Sequence, residues 1–253
     1  MIKSLLHTIR KAIRQLGLDF VRFPHVEAMP PDVSAELLAI LQAARPYTLT
    51  TLHRLASTQD AIRYVVRADI PGDIVECGVW RGGNMAVAAS TLLALGDGTR
   101  HLFLYDTYEG MTQPTDKDTD FFGGLAAEHM ADQHKGTGVW CEASIEDVTA
   151  VMEGTGYDLA KVHLIKGPVE QTIPGTIPSK IAVLRLDTDW YESTRHELIH
   201  LYPLLVPGGV LIIDDYGHWQ GAKTAVDEYF ASNQIHILMT RVDYTCRMLV
   251  KPL

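Results

Sequence analysis

The chain has 253 residues, 47% hydrophobic and 21% charged, which is typical of a soluble globular protein with room for one large α/β domain. Its net charge of −9 argues against nucleic-acid binding, because a phosphate backbone requires a basic face. The three cysteines are widely spaced, so neither a disulfide framework nor a zinc site is predicted, and a cytoplasmic location is the simplest expectation.

The first 46 residues are predicted to form a helical segment ahead of the main domain. Residues 1–18 place apolar side chains at helical spacing, with basic residues between them. No stretch approaches the roughly 20 apolar residues of a membrane span, so stable membrane insertion is not expected. A helix lying on a membrane surface is one interpretation. We favour a helix packed on the body or on a partner subunit, and expect a homo-oligomer. Another helix is predicted from about Asp32.

From residue 51 the pattern becomes an alternation of helices with short, apolar, β-branched strands. Five candidate strands are nearly continuous in apolar character, as strands buried on both faces are: 73–79, 101–107, 161–167, 180–188 and 209–216. Helices are predicted at 51–68, 83–95, 144–154, 169–173, 192–204 and 219–231. The alternation predicts a doubly wound, mostly parallel sheet. Two runs near the C-terminus, 235–242 and 244–252, predict a hairpin with one antiparallel strand at or near an edge.

Residues 108–140 do not fit this alternation. A glycine-rich connection of this length usually marks a functional lid or a mobile segment. Its Asp116, Asp118 and Asp120 resemble the start of a calcium loop, but the glycine and glutamate that should follow are missing. We therefore expect a solvated acidic loop.

A glycine-rich turn follows the first predicted strand, in the run Glu76-Cys77-Gly78-Val79-Trp80-Arg81-Gly82-Gly83. Its E-x-G-x-x-x-G-G spacing differs from the G-x-G-x-x-G of dinucleotide sites, so a pyrophosphate is not indicated. A carboxylate two residues before the first glycine suits a ligand with an ammonium group, such as the methionine moiety of S-adenosylmethionine. Asp106, at the end of the second strand, would accept hydrogen bonds from ribose hydroxyls, or alternatively cap a helix. The adenine edge would lie near Gly167 and Val169, after the third strand.

The fourth and fifth strands each end in a pair of acids, Asp187 with Asp189 and Asp214 with Asp215. Because parallel strands open onto one edge, these four carboxylates converge beside the glycine turn. They cannot all ionise without a cation between them, and a hard divalent ion resolves the repulsion. We expect Mg²⁺, with Mn²⁺ or Ca²⁺ as substitutes. Helix capping explains one acid at each strand end but not a pair at both.

Such a site favours methyl transfer to an alcohol, since a metal that binds the hydroxyl lowers its pKa and a nearby carboxylate takes the proton. Asp187, Asp214 and Asp215 would be the ligands. Asp189 lies two residues beyond Asp187, on the same face if the strand continues, and is the candidate base. His218 is the competing base or a substrate contact, although a lone loop histidine is more often neither.

The runs VECGVWRGG, LYDTYEGM, LRLDTDWYEST and GGVLIIDDYGHWQGAKTAVDEY resemble the macrocin O-methyltransferase family, over about residues 46–229. The resemblance implies a class I methyltransferase fold in residues 47–253, S-adenosylmethionine with Mg²⁺, and a deoxysugar hydroxyl of a glycosylated natural product as acceptor. It also implies an oligomer, and it implies that Thr48 belongs to a segment closing over the methionine end. The implied donor-site residues are Thr48, Glu76, Gly78, Arg81, Asp106, Gly167, Val169 and Asp187.

Other functions remain open at this stage. The same machinery would serve a phenolic acceptor if Trp190 and Trp219 acted as apolar gatekeepers beside the metal. A dinucleotide oxidoreductase would need a glycine spacing that is absent. A non-catalytic binding module would have no reason to keep four converging acids.

Overall fold

The computed structural model describes residues 33–131 and 140–252, so the helix predicted over 1–18 lies outside the described residues. Helix α1 spans Ala35–Ala44 and helix α2 spans Leu52–Arg67. Each begins after a hydroxyl residue whose side chain accepts a backbone N–H of the first turn. Helix α1 packs against the helix that follows the first strand, inside the compact unit Asp32–Leu253. The predicted division into residues 1–46 and 47–253 stays a prediction.

The centre of the fold is a seven-stranded, mostly parallel sheet, as predicted. Its strands are β1 Asp73–Cys77, β2 Leu102–Asp106, β3 Val162–Lys166, β4 Ile181–Leu186, β5 Leu205–Ile213, β6 Thr240–Arg241 and β7 Arg247–Val250. Their order across the sheet is β3-β2-β1-β4-β5-β7-β6. Strands β1 to β5 are parallel, and β7 pairs antiparallel with both β5 and β6. The strand order reverses between β1 and β4, which is where α/β sheets bind ligands.

Helices cover both faces of the sheet and bury its apolar side chains. Along the chain they are α3 Gly83–Ala94, α4 Ala126–Ala131, α5 Ile145–Gly154, α6 Val169–Thr172, α7 Tyr191–Leu201 and α8 Gln220–Ser232. Ile74 and Val183 pack on one face with α2, α3 and α5, and their neighbours Val75 and Leu184 pack on the other with α7 and α8. All six residues of β4 are buried. This confirms that its continuous apolar run belongs to a strand covered on both faces.

The hairpin strands are shorter than the two predicted runs. Ile235, Ile237 and Met239 still direct alternate side chains to the core, but they lie before β6. Their period of two therefore records packing and not strand pairing. Strand β7 lies one strand in from the edge, which agrees with the predicted antiparallel strand near an edge. Within the described ranges, no helix combines the length and the hydropathy that crossing a bilayer requires.

The segment that follows β2 contains two buried aspartates, one of which ties the segment to the start of α7. Asp118 is fully buried, and its carboxylate accepts hydrogen bonds from the amide of Thr115 and from the amide of Tyr191, the latter at 2.7 Å. Asp120 is 9% exposed and accepts the amides of Phe122 and Gly124. The expectation of a solvated acidic loop is therefore wrong for these two residues.

Replacing Asp118 by alanine is expected to lower the free energy of unfolding by about 1–3 kcal/mol, because the buried amide of Tyr191 loses its acceptor. The substitution Asp116→Ala removes the same charge from an exposed position of the same segment and is the control. Urea denaturation of both variants measures the difference. Equal stability of the two variants would show that the buried carboxylate does not hold the segment.

Candidate active site

A cavity opens at the carboxyl ends of strands β1 to β5. Nine of the twelve predicted site residues line it: Thr48, Gly78, Asp106, Gly167, Val169, Asp187, Asp189, Asp214 and Asp215. The segment between α1 and α2 forms one side of the cavity through Thr48, Leu49 and Thr50. The start of the segment that follows β2 contributes Met111 and Thr112. Residues far apart in sequence therefore meet at the point where the strand order reverses.

The glycines of the turn after β1 make room for the protein's own backbone. Gly78 has a φ of +80°, and a Cβ there would lie 2.0 Å from the carbonyl oxygen of Asp187. A Cβ at Gly83 would lie 2.6 Å from the carbonyl oxygen of Tyr47. The turn can therefore contact both the end of β4 and the segment 47–48, which brings three walls of the cavity together.

Asp106 holds this turn in place from the end of β2. Its carboxylate accepts the amides of Trp80 and Tyr108, each at 2.9 Å. Burial raises the pKa of Asp106, and these backbone hydrogen bonds oppose that shift. The side chain also lines the cavity, and a carboxylate has more acceptor positions than these two bonds use. Turn capping and ligand binding are compatible at this residue.

A buried arginine, which the sequence analysis did not single out, lies beneath the cavity. Arg185 is 2% exposed. Its Nε donates to Glu76 at 2.8 Å, and its Nη2 donates to Asp187 at 2.6 Å and to Asp214 at 2.5 Å. Burial alone would lower the pKa of Arg185, but the three carboxylates raise it well above its ordinary value. A charged residue within an otherwise apolar strand must be paired, and this was the available sequence signal.

Glu76 is buried beneath the turn and is not among the described residues that line the cavity. One carboxylate oxygen accepts from Arg185, and the other has no hydrogen-bond partner among the described residues. Burial raises the pKa of Glu76 to about 7, although Arg185 acts in the opposite direction. We predicted that Glu76 contacts the ammonium group of the donor. In the structure, one oxygen of Glu76 already binds the guanidinium group of Arg185.

Three of the predicted acids form a compact cluster. Asp187, Asp214 and Asp215 each offer a carboxylate oxygen, and these atoms lie within 4.8 Å of one another. Asp189 shares a hydrogen bond with Asp215 and accepts one from the indole of Trp219. Burial raises the pKa of Asp189 to about 7, and Asp187 and Asp214 act in the same direction.

Asp189 is not one of the three clustered acids, and it does not belong to strand β4. Strand β4 ends at Leu186, and Asp189 has a left-handed φ of +65° in the turn before α7. Asp187 and Asp189 therefore do not share a strand face as predicted, because the strand ends before both of them. The turn nevertheless directs both carboxylates into the same cavity.

The cluster fits a hard divalent cation by its donor atoms and by its charge. Five carboxyl groups meet at this end of the sheet, on Glu76, Asp187, Asp189, Asp214 and Asp215. Within the described ranges they have ion pairs with only two cations, Arg54 and Arg185. Three oxygen ligands in an acid-rich site are what Mg²⁺, Mn²⁺ and Ca²⁺ prefer.

Two further predicted site residues, like Glu76, are not among the described residues that line the cavity. The ring of His218 packs edge-on against Trp219, with centroids 4.7 Å apart, and burial lowers the pKa of its imidazole. Arg81 donates to the carbonyl of Pro46 at 3.3 Å, and its guanidinium lies 5.3 Å from the ring centroid of Tyr47. Arg81 thus supports the segment that carries Thr48, and His218 supports Trp219.

The two tryptophans considered as gatekeepers are buried beneath the segment that follows β2. Trp190 and Trp219 are 2% and 5% exposed, and they pack edge-to-face with centroids 5.1 Å apart. They form a cluster with Met130, and the indole N–H of Trp190 donates to the carbonyl of Thr112. Neither is among the described residues of the cavity wall. They hold the segment in place and offer no free aromatic face beside the acids.

The strand order, the glycine turn after β1, the acid at the end of β2 and the cavity at the sheet edge define a class I S-adenosylmethionine-dependent methyltransferase. Comparison with known families narrows this class. The chain belongs to the macrocin-O-methyltransferase (TylF) family, whose model matches residues 34–251.

Characterised relatives are similar over most of their length. A tetracenomycin rhamnosyl 4'-O-methyltransferase of Streptomyces olivaceus is 34% identical over 219 residues, which is 85% of this chain and 79% of that protein. The mycinamicin III 3''-O-methyltransferase of Micromonospora griseorubida is 33% identical, covering 72% of this chain and 70% of its own. The solved structure of the O-methyltransferase NovP is 29% identical, with a TM-score of 0.71 over 82% of this chain and 83% of its own. These matches confirm the family resemblance and the O-methyltransferase activity.

Proposed function

We propose that the protein transfers a methyl group from S-adenosylmethionine to a sugar hydroxyl of a glycosylated natural product, assisted by Mg²⁺, with Mn²⁺ or Ca²⁺ as substitutes. The observation that supports this proposal is the meeting of Asp187, Asp214 and Asp215 in one cavity with the glycine turn. A cytoplasmic location and a homo-oligomer belong to the same proposal, and they rest on the cysteine usage and the N-terminal apolar stripe.

The donor would bind along the ends of β1, β2 and β3. Asp106 would accept the ribose hydroxyls, and Gly167 and Val169 would border the adenine. Thr48 would contact the methionine end, and its hydroxyl is held at 2.9 Å from that of Thr50. One oxygen of Glu76 has no hydrogen-bond partner among the described residues, and the carboxylate would add a negative charge that favours the ammonium and sulfonium groups.

The acceptor hydroxyl would lie among Asp187, Asp189, Asp214 and Asp215. A divalent cation on this site would lower the pKa of that hydroxyl. Asp189 would take the hydroxyl proton while the acceptor oxygen forms a bond to the donor methyl carbon and the carbon–sulfur bond breaks. The hydrogen bond from the indole of Trp219 would keep the Asp189 carboxylate oriented for this transfer.

Two observations favour a sugar over a phenolic acceptor. The relatives are named for methylation of a rhamnosyl group, of demethyldecarbamoylnovobiocin and of mycinamicin III. Trp190 and Trp219, the aromatic residues that would grip a phenol, are buried beneath the segment that follows β2.

The proposal is tested by methyl transfer to a rhamnosylated polyketide and to catechol, before and after chelation. We expect mass spectrometry to show a methylated rhamnoside, loss of product after chelation, and recovery with Mg²⁺. Asp214→Ala should abolish both the recovery and the Mg²⁺ binding seen by calorimetry, because it removes a ligand. Asp60→Ala is the control, since Asp60 pairs with Arg63 at an exposed position of α2 and lies outside the cluster. Preferred methylation of catechol, or full activity after chelation, would contradict the acceptor or the metal respectively.

A further inference from the structure

Arg54 connects the first turn of α2 to the acid cluster. Its Nη1 donates to Asp214, and its Nε donates to Asp243 at 2.7 Å. Thr51, which caps α2, donates its hydroxyl to the same oxygen of Asp243 at 3.1 Å. Burial would lower the pKa of Arg54, but Asp214 and Asp243 raise it, so the guanidinium stays charged. The start of α2 is thus tied both to the end of β5 and to the turn before β7.

Both oxygens of Asp214 are engaged by guanidinium groups, one by Arg185 and the other by Arg54. Asp214 must nevertheless offer an oxygen to any cation shared with Asp187 and Asp215. A guanidinium and a divalent cation on one buried carboxylate repel each other strongly, because little water screens them.

Arg54 is the partner that can leave. Arg185 is 3% exposed at its side chain and is held by three carboxylates, so it has no other position to adopt. The Arg54 side chain is 15% exposed and lines the cavity. It also keeps Asp243 as a partner when its contact with Asp214 is lost. Among the cavity residues that the structure describes, Arg54 is the one with a cationic side chain.

We propose that Arg54 and a divalent cation compete for Asp214, so that Arg54 acts as a positioning residue linking the metal site to the donor side of the cavity. This inference rests on the metal site of the proposed function. Cation binding releases one of the two ion pairs that hold the start of α2. The segment 48–50 precedes this turn and lines the cavity, so cation binding changes the wall that we assign to the methionine end of the donor. The coupling is reciprocal, as linkage requires.

Calorimetric titration of chelated protein with Mg²⁺ tests the competition. Arg54→Met is expected to bind Mg²⁺ about tenfold more tightly than the unsubstituted protein, because an internal competitor worth roughly one ion pair is gone. Arg54→Lys keeps the charge and should stay near the original affinity. Arg63→Met is the matched control, since Arg63 is on the same helix and pairs with Asp60. Equal Mg²⁺ affinity in Arg54→Met and Arg63→Met would overturn the inference.

Hydrogen exchange of the unsubstituted protein provides a readout that needs no variant. With Mg²⁺ bound, amides in the first turn of α2 should exchange faster, whereas those of residues 187–190 should exchange more slowly. Slower or unchanged exchange in α2 would overturn the competition while leaving the metal site intact. Absence of Mg²⁺ binding in both the unsubstituted protein and Arg54→Met would overturn the metal site and this inference together. Binding of S-adenosylhomocysteine would then still test the methyltransferase function by itself.

Discussion

Asp189→Asn is expected to lower kcat by about 100- to 10,000-fold, the range that a positioned general base contributes. Asparagine has almost the same shape as aspartate, and its carbonyl oxygen can still accept the hydrogen bond from Trp219. Its amide can donate to Asp215, so the local packing should be kept. The substitution therefore removes the proton acceptor with little change in geometry. Initial rates of rhamnoside methylation, with titration of S-adenosylhomocysteine, measure the effect on turnover and on donor affinity separately.

His218→Asn provides the comparison, because His218 was the competing candidate for the base. The imidazole packs on Trp219 and lies outside the described cavity wall, so turnover should fall much less than in Asp189→Asn. A large loss in His218→Asn with near-normal turnover in Asp189→Asn would assign the proton transfer to the histidine. An equal loss of donor affinity in both would indicate a structural effect on the cavity.

The sheet could be predicted because each of its five parallel strands appears in the sequence as a short, apolar run rich in β-branched residues. Strand β4 is buried at each position, and helices separate most of the apolar runs from one another. The same regularity predicted the convergence of Asp187 and Asp214, since parallel strands end at one edge. The position of Asp189 was predicted for the wrong reason. Whether a strand continues for two further residues depends on the partner strand and on the helix that follows, and local periodicity does not reveal either.

The contacts that the two arginines of the site make could not be predicted from the sequence. Arg54 and Asp214 are 160 residues apart, and their contact depends on the packing of α2 against the sheet. Arg185 was visible as one charge in an apolar run, but the sequence did not indicate which carboxylates would receive it. Asp118 was predicted to be exposed and is buried. An exposed acidic loop and a buried capping carboxylate have the same local composition, so the sequence did not distinguish them.

Arg185 is the residue whose loss should lower the stability of the fold most, because it is the shared cation of three carboxylates beneath the cavity. Arg185→Met fills a similar volume but leaves Glu76, Asp187 and Asp214 without their shared cation. Breaking a buried ion pair from one side costs about 3–5 kcal/mol, because the remaining charge is not compensated. We expect the free energy of unfolding, measured by urea denaturation, to fall by at least that amount.

Mg²⁺ should restore only part of this stability. It can neutralise Asp187 and Asp214, which belong to the acid cluster, but Glu76 lies beneath the turn and is not one of the three clustered ligands. Arg63→Met is again the control, and it should change stability by about 0–1 kcal/mol because its ion pair with Asp60 is exposed. If Arg185→Met were as stable as this control, the buried carboxylates would have to be neutral in the folded protein. Full recovery with Mg²⁺ would instead show that Glu76 needs no counter-ion and that the cluster alone requires one.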